Sequence, residues 1–307
     1  MKAAVVIPTR NAGEKFELAL QSIGSQNINL DQKLIIDSES DDSTVAIAKK
    51  YGWQVVNIKH SDFDHGKTRR EAVERMFDAD IIFFLTQDVI LADKHSFSQL
   101  LTSFEDDDVA IAYGRQLPRS DADPISAHAR FFNYPAQSNC KILADKQQYG
   151  LKTAFMSNSF AVYRRSALLS IGNFPFPCIM GEDMFAAAQC LLAGWKICYC
   201  AQAEAFHSHN YSLVQEFKRY FDIGVFQSQN QWIQATFGKA EGEGRKFVLS
   251  ELQFLISQKQ VFLIPEAILR TAIKYLGFKV GGLAAKLPTT INRKLSLHTS
   301  YWKRGNL

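Results

Sequence analysis

The sequence of 307 residues predicts an α/β fold: a mostly parallel, Rossmann-like sheet covered by helices, extended by a helical C-terminal region. Three observations carry this expectation. Short apolar runs alternate with helical patterns over residues 1–110, each run ends in a polar cluster, and beyond Tyr211 the runs give way to helically spaced aromatics.

In chain order, Ala3 to Ile7 reads as the first strand and is followed by a helix that ends at Gly24. Lys33 to Asp37 is the second strand, with a helix to Gly52. Trp53 to Ile58, a helix from Lys67 to Phe77, and Asp80 to Leu85 continue the alternation. Ligands of such sheets lie beyond the carboxyl ends of the strands. The polar clusters Pro8-Thr9-Arg10-Asn11, Asp37 to Asp42, and Thr86-Gln87-Asp88 fall at those ends.

The second half, 111–210, is less regular. Ser159 to Arg164 reads as a strand and Asp183 to Ala193 as a helix that Gly194 caps. Phe217, Tyr220, Phe221 and Phe226 then recur at helical spacing, which places a boundary near 211 between a body, 1–210, and a helical region, 211–307. No Gly/Ser linker separates the two, so the helical region is expected to pack on the body.

A hydrophobic fraction of 47% and a charged fraction of 21% are those of a folded globular chain. Five cysteines imply no disulfide framework; Cys198 and Cys200 read as buried free thiols, which fits a reducing compartment. The opening Met1 to Pro8 is too short for a signal-peptide core, and Lys259, Glu266, Arg270 and Lys274 interrupt the most apolar C-terminal stretch. The expectation is a cytoplasmic protein that spans no bilayer.

Charge is uneven. Residues 239–307 hold 12 Lys+Arg against 4 Asp+Glu, leaving 23 against 27 for residues 1–238. From Ala267 onward eight basic residues and no acidic one lie among Leu, Ile, Phe, Tyr and Trp, a pattern suited to an anionic membrane surface or to a packing helix with a solvated basic face. Confinement of this charge to the tail, with no recognised binding module, argues against nucleic acid as a partner.

Several residues could carry chemistry. Asp37, with Glu39 and Asp42 in the same strand-end cluster, could accept hydrogen bonds from a pyrimidine or ribose, or cap a solvated turn. Asp88 follows an apolar strand and could hold a divalent cation against phosphates, or be satisfied by backbone. Asp183 opens a helix and could deprotonate a hydroxyl, with Glu182 as neighbour or substitute; the helix dipole alone would also favour both there. His207 and His209 point the same way from a strand end and could complete a metal site with Asp88, or be filling. Lys67 and Arg69, with Arg70, follow the glycine turn Phe63-Asp64-His65-Gly66 and could hold a diphosphate, or form a solvated helix start.

Taken together, Pro8 to Asn11, Asp37 to Thr44, Phe63 to Arg70, Gln87-Asp88 and Glu182-Asp183 resemble inverting nucleotide-sugar glycosyltransferases of the GT-A fold. Within these, Phe63 to Arg69, Arg219 to Phe226, and Leu295 to Leu297 with Tyr301-Trp302 look like bacterial rhamnosyltransferases of surface-polysaccharide (O-antigen type) synthesis. The resemblance implies donor binding by Pro8, Thr9, Arg10, Asn11, Asp37, Glu39, Asp42, Lys67, Arg69, Gln87 and Asp88, and Asp183 as base. It further implies a dTDP-β-L-rhamnose donor, a lipid-linked oligosaccharide acceptor, and a place at the cytoplasmic face of the inner membrane. The family's Asp-x-Asp metal motif is here Thr86-Gln87-Asp88, with only the last carboxylate kept; the cation expected is Mg²⁺ or Mn²⁺. Rival readings are the same fold with a UDP-hexose, a nucleotidyltransferase, for which Pro8 to Gly13 has too few glycines, and a non-catalytic membrane adaptor.

Overall fold

The structure, a computed structural model, describes residues 1–238 and 242–304. Strand β1 (Ala3–Thr9), helix α1 (Lys15–Gly24), β2 (Gln32–Asp37), α2 (Thr44–Lys50), β3 (Gln54–Asn57), α3 (His65–Arg75) and β4 (Ile81–Leu85) form the first half. Then come β5 (Ile90–Leu91), α4 (Ser96–Leu101), β6 (Val109–Leu117), α5 (Pro124–Asn133), β7 (Asn139–Lys141), α6 (Lys146–Tyr149), β8 (Phe160–Arg164), α7 (Arg165–Ser170), α8 (Glu182–Leu192) and β9 (Lys196–Phe206). Beyond these strands the described elements are helices: α9 (Leu213–Gln229), α10 (Gln231–Phe237), α11 (Glu243–Ser257), α12 (Ile264–Gly281) and α13 (Thr289–Leu295).

One nine-stranded sheet runs β3-β2-β1-β4-β8-β6-β9-β5, with β7 on β9. Its first four strands are parallel; β8 enters antiparallel between β4 and β6, and β9 returns parallel to β6. The run Ile-Ile-Phe-Phe-Leu of β4 is buried throughout, as a strand covered on both faces must be. Alternation sorts β1: Ala4 and Val6 face one core with α3, α7 and α8, whereas Ala3, Val5 and Ile7 face the other with α1 and α4.

Local chemistry explains the segment before α3. Asp64 caps that helix by accepting from the backbone N–H groups of Gly66 and Lys67, each at 3.0 Å, and its other oxygen accepts from Cys178 N at 3.0 Å. A methyl group on Gly66 would run into the carbonyl of Pro175. The motif thus clamps α3 to the loop that leads into α8.

The C-terminal helices share the main core, in which Phe221, Val225, Tyr301 and Trp302 are buried. Along α9 and α12 the chains approach closely at Gly224, Gly277 and Gly281, where any added methyl would meet a carbonyl of the facing helix. No described helix is long and apolar enough to cross a membrane.

The expectation of a free thiol at Cys198 is overturned, since it forms a disulfide with Cys140, whereas Cys200 is free and buried as expected, with Cys178 and Cys190. Antiparallel pairing of β7 with β9 sets Cys140 opposite Cys198, with Cα atoms 4.0 Å apart. A three-residue strand leaves no periodicity from which that register could be read.

Candidate active site

Two neighbouring cavities open beyond the carboxyl ends of the strands, with His65 in the wall of both. The larger, about 390 Å³, is bounded by Asn158, Asp183, His207, His209 and Arg219 among others. The smaller, about 360 Å³, has Pro8, Thr9, Arg10 and Gln87 on one side.

Asp183 enters the larger cavity from the first turn of α8, where Gly181 in a left-handed conformation turns the chain into the helix. Its oxygens accept from the backbone N–H groups of Met184 at 2.8 Å and Asn158 at 3.2 Å. Burial, and then the negative charge of Glu182, push its carboxyl up to about 6. Glu182 itself is 4% exposed and committed: Arg69 stands 3.1 Å from it and Asn158 Nδ2 donates to it at 2.9 Å. Of the two acidic residues, Asp183 has the properties of a base.

Asp88, His207 and His209 offer three ligand atoms within 4.8 Å of one another. His207 Nε2 and His209 Nε2 lie 3.5 and 3.6 Å from Asp88 Oδ2. Arg130 donates to Gln116 Oε1 at 2.7 Å, which fixes that oxygen as an acceptor; His207 Nδ1, 2.8 Å away, therefore carries the proton that it donates. His207 Nε2 is then left facing the carboxylate, buried and without a hydrogen-bond partner. A gap between such groups takes a proton or a cation, and two imidazoles with one carboxylate fit a divalent ion. Burial alone would raise the Asp88 carboxyl, but the two histidines and Thr86 outweigh it and hold the group well below the usual range. Burial, with His207 beside it, lowers His209 to about 4, so that ring is a neutral donor at pH 7.

The remaining predicted residues divide. Pro8, Thr9, Arg10 and Gln87 line the smaller cavity, and Gln87 also bridges two loops by accepting from Arg10 N at 2.8 Å and donating to Arg10 O at 3.2 Å. Asp37 lies under that floor, 1% exposed, and accepts from Thr9 Oγ1, Ser40 N and Ser40 Oγ. Its bonds hold the turn, the second of the two roles its cluster offered, and it lines neither cavity. Asn11, Glu39 and Asp42 likewise support loops: they accept from Asp41 N, from His60 N, and from Gly13 N and Thr44 N respectively. Lys67 is turned away, toward Glu71 at 3.7 Å and the ring of Phe176, and lines neither cavity. Arg69 does line the larger one, but its charge is spent on Glu182.

Sequence reasoning missed Arg219. This residue of α9 lines the larger cavity, lies over the ring of Tyr211 at 5.6 Å, and makes no ion pair among the described residues. The only local signal was its place in the Arg219 to Phe226 motif. Arg130 and Gln116 were missed as well, because their role exists only through His207.

The profile of Glycosyl transferase family 2 matches residues 4–172. The chain belongs to that family. It is 48% identical to the O-antigen chain rhamnosyltransferase RfbN of Salmonella typhimurium, across 98% of this chain and 96% of the relative. With the O-antigen chain rhamnosyltransferase WbaN of Salmonella anatum the identity is 46%, across 97% and 95%. Among solved structures, the mannosyltransferase PcManGT of Pyrobaculum calidifontis in complex with GDP-Man and Mn²⁺ superposes with a TM-score of 0.58 at 14% identity, covering 98% of this chain and 85% of that one. TarS 1–349 of S. aureus in complex with UDP-GlcNAc gives 0.56 at 14% identity, covering 93% and 92%. The two structural likenesses show the GT-A fold. This family 2 glycosyltransferase therefore carries the architecture expected from its strand-end motifs.

Proposed function

We propose that this glycosyltransferase transfers L-rhamnose, with inversion, from dTDP-β-L-rhamnose to a lipid-linked saccharide of O-antigen type. The observation that carries this reading is identity near one half, over almost the full length, with two O-antigen chain rhamnosyltransferases. The body, 1–210, would hold the donor and the reacting centre, with 211–307 adding the wall that bears Arg219 and a membrane-facing surface.

In the reaction so proposed, Asp183 takes the proton of the acceptor hydroxyl as its oxygen attacks the anomeric carbon, and dTDP departs from the opposite face to give an α-rhamnoside. The oxocarbenium-like transition state calls for placement and for neutralising charge on the diphosphate. Arg219, which makes no ion pair among the described residues, is the side chain suited to that charge. Asp88, His207 and His209 would hold the cation, which when bound supplies positive charge beside the diphosphate. Two imidazole ligands favour Mn²⁺ over Mg²⁺.

Attachment to an anionic membrane is part of the proposal. Ile268, Leu269, Tyr275 and Leu276 recur at helical spacing on α12 and are exposed, as are Phe262 and Leu283 at its ends. Lys279, Lys286, Arg293 and Lys294 are exposed in the same region. Arg270 and Lys274, counted with the basic tail in the sequence, instead pair internally with Glu266 and Glu216.

Incubating the purified enzyme with Mn²⁺, dTDP-β-L-rhamnose and lipid-linked acceptor from membranes lacking this activity should yield an acceptor heavier by one deoxyhexose in a mass spectrum. Transfer from a UDP-hexose in its place would reassign the donor; no transfer from any sugar nucleotide would refute the reading.

A further inference from the structure

We propose that the C-terminal segment Leu297–Ser300 is a donor-binding wall, held over the nucleotide by a buried carboxylate latch, Asp222. The inference rests on the donor reading proposed above, taken with the nucleoside in the smaller cavity and the diphosphate running past His65, which both cavities share, toward Arg219.

That cavity is incomplete without the segment. Pro8, Thr9, Arg10, Ser38 and Gln87, from the ends of β1, β2 and β4, supply one side of it. Leu297, His298, Thr299 and Ser300 supply another, from the far end of the chain. His298 sets its ring edge-on to that of His65, with centroids 4.5 Å apart, and His65 belongs to the walls of both cavities. The segment therefore meets the point where a ligand would pass from the nucleoside end to the sugar end.

Its hold on the body is specific. Asp222 of α9 is 0% exposed, and its Oδ2 accepts from Leu297 N at 2.9 Å. Ser296, also 0% exposed, accepts from His298 N at 2.9 Å through its hydroxyl. On the upstream side Asn292, again fully buried, donates to Ala284 O at 2.9 Å. Downstream, Tyr301 and Trp302 are buried in the main core, with Gln229 Nε2 donating to the Tyr301 hydroxyl at 2.9 Å. Four residues that face a cavity are thus pinned at both ends by fully or nearly buried groups.

A buried carboxylate that makes no ion pair among the described residues, with the charge of Arg219 acting on it only weakly, is a costly anchor. What the carboxyl gives in return is a fixed backbone position, since an apolar side chain in its place would leave Leu297 N without its acceptor. Burial pushes the Asp222 carboxyl up to about 7. The wall presents an imidazole, two hydroxyls and an aliphatic side chain, opposite the guanidinium of Arg10 and the rings of His60 and Phe63. Flat faces with hydrogen-bonding edges and a cation nearby are the chemistry that receives a base, a sugar and phosphates.

The test is hydrogen exchange on the full-length enzyme with and without dTDP in the presence of Mn²⁺, joined to calorimetric titration of dTDP into the Thr299→Trp variant. Expected are protection of the amides of residues 297–300 together with those of 9–11, and dTDP binding weakened by about tenfold or more in the variant with its melting temperature kept. Protection of residues 9–11 with none at 297–300, or parental affinity in Thr299→Trp, would overturn the wall while leaving the donor reading intact. Failure of the unmodified enzyme to bind dTDP would overturn the donor reading itself. Should Thr299→Trp not fold, the exchange experiment on the unmodified enzyme decides alone.

Discussion

His207 donates through Nδ1 to Gln116 Oε1 at 2.8 Å, and this single contact decides which of its nitrogens looks at Asp88. Arg130, donating to the same oxygen at 2.7 Å, leaves the amide no freedom to turn over. Replacing Gln116 by Leu removes the acceptor and frees the ring. We expect Mn²⁺ affinity, measured by calorimetry on the full chain, to fall by about 10–100-fold. An unchanged affinity would show that the ion is held without this support.

Asp183→Asn should lower kcat by about 10² or more, as loss of a general base does, while dTDP affinity stays at the parental level. A rate within a few-fold of the parent would remove Asp183 from the role of base.

The same carboxylate sets a pH limb. Raised to about 6 by burial and by Glu182, it must be ionised to accept a proton, so the rate should climb as pH passes upward through about 6. Glu182→Gln removes the neighbouring negative charge, and the limb should then move to lower pH. A pH profile of kcat for parent and variant checks both the position and the direction.

Asp222 makes a separate prediction about stability. Its folded pKa, about 7, lies above that of the unfolded carboxyl, about 4, so its contribution is complete below pH 4 and is lost as pH rises through 7. Glu251, raised to about 7 chiefly by burial, slopes the same way. Between pH 5 and 8 the parent should lose stability, and Asp222→Asn should lessen that loss by on the order of 2 kcal/mol, read from urea midpoints.

Exchanging Lys279, Lys286, Arg293 and Lys294 for Glu should release the enzyme from anionic vesicles, since each basic residue at such a surface contributes about 1 kcal/mol. Co-sedimentation at two salt concentrations measures this. Retention of the variant on the vesicles would show that these four basic side chains do not hold the enzyme there.

Much of the body was legible because its order is local: each strand from β1 to β4 is followed by the helix or loop that covers it, and a polar cluster marks each end. The antiparallel entry of β8 between β4 and β6 was not, since pairing between residues so far apart leaves no trace in either run. The same reason hid Cys140 from Cys198. Asp88, His207, His209 and Asp183 were legible as chemistry that strand and helix ends deliver to one face. For Asp37 the sequence left ligand contact and turn-holding both open, because an acidic cluster looks alike whether its oxygens face a ligand or the neighbouring backbone. Arg219 and the segment Leu297–Ser300 come from the region where helices carry no strand-end rule to say what they point at.

The three glycines between α9 and α12 leave main chain against main chain, with no compressible layer of side chains to absorb a sliding movement. The outer helix, with Tyr275 and Leu276 on its exposed side, thus lies directly against the inner one, which carries Arg219 at the cavity. Any surface on which the outer helix comes to rest thereby bears, through the helix beneath it, on the direction in which the cavity mouth is presented.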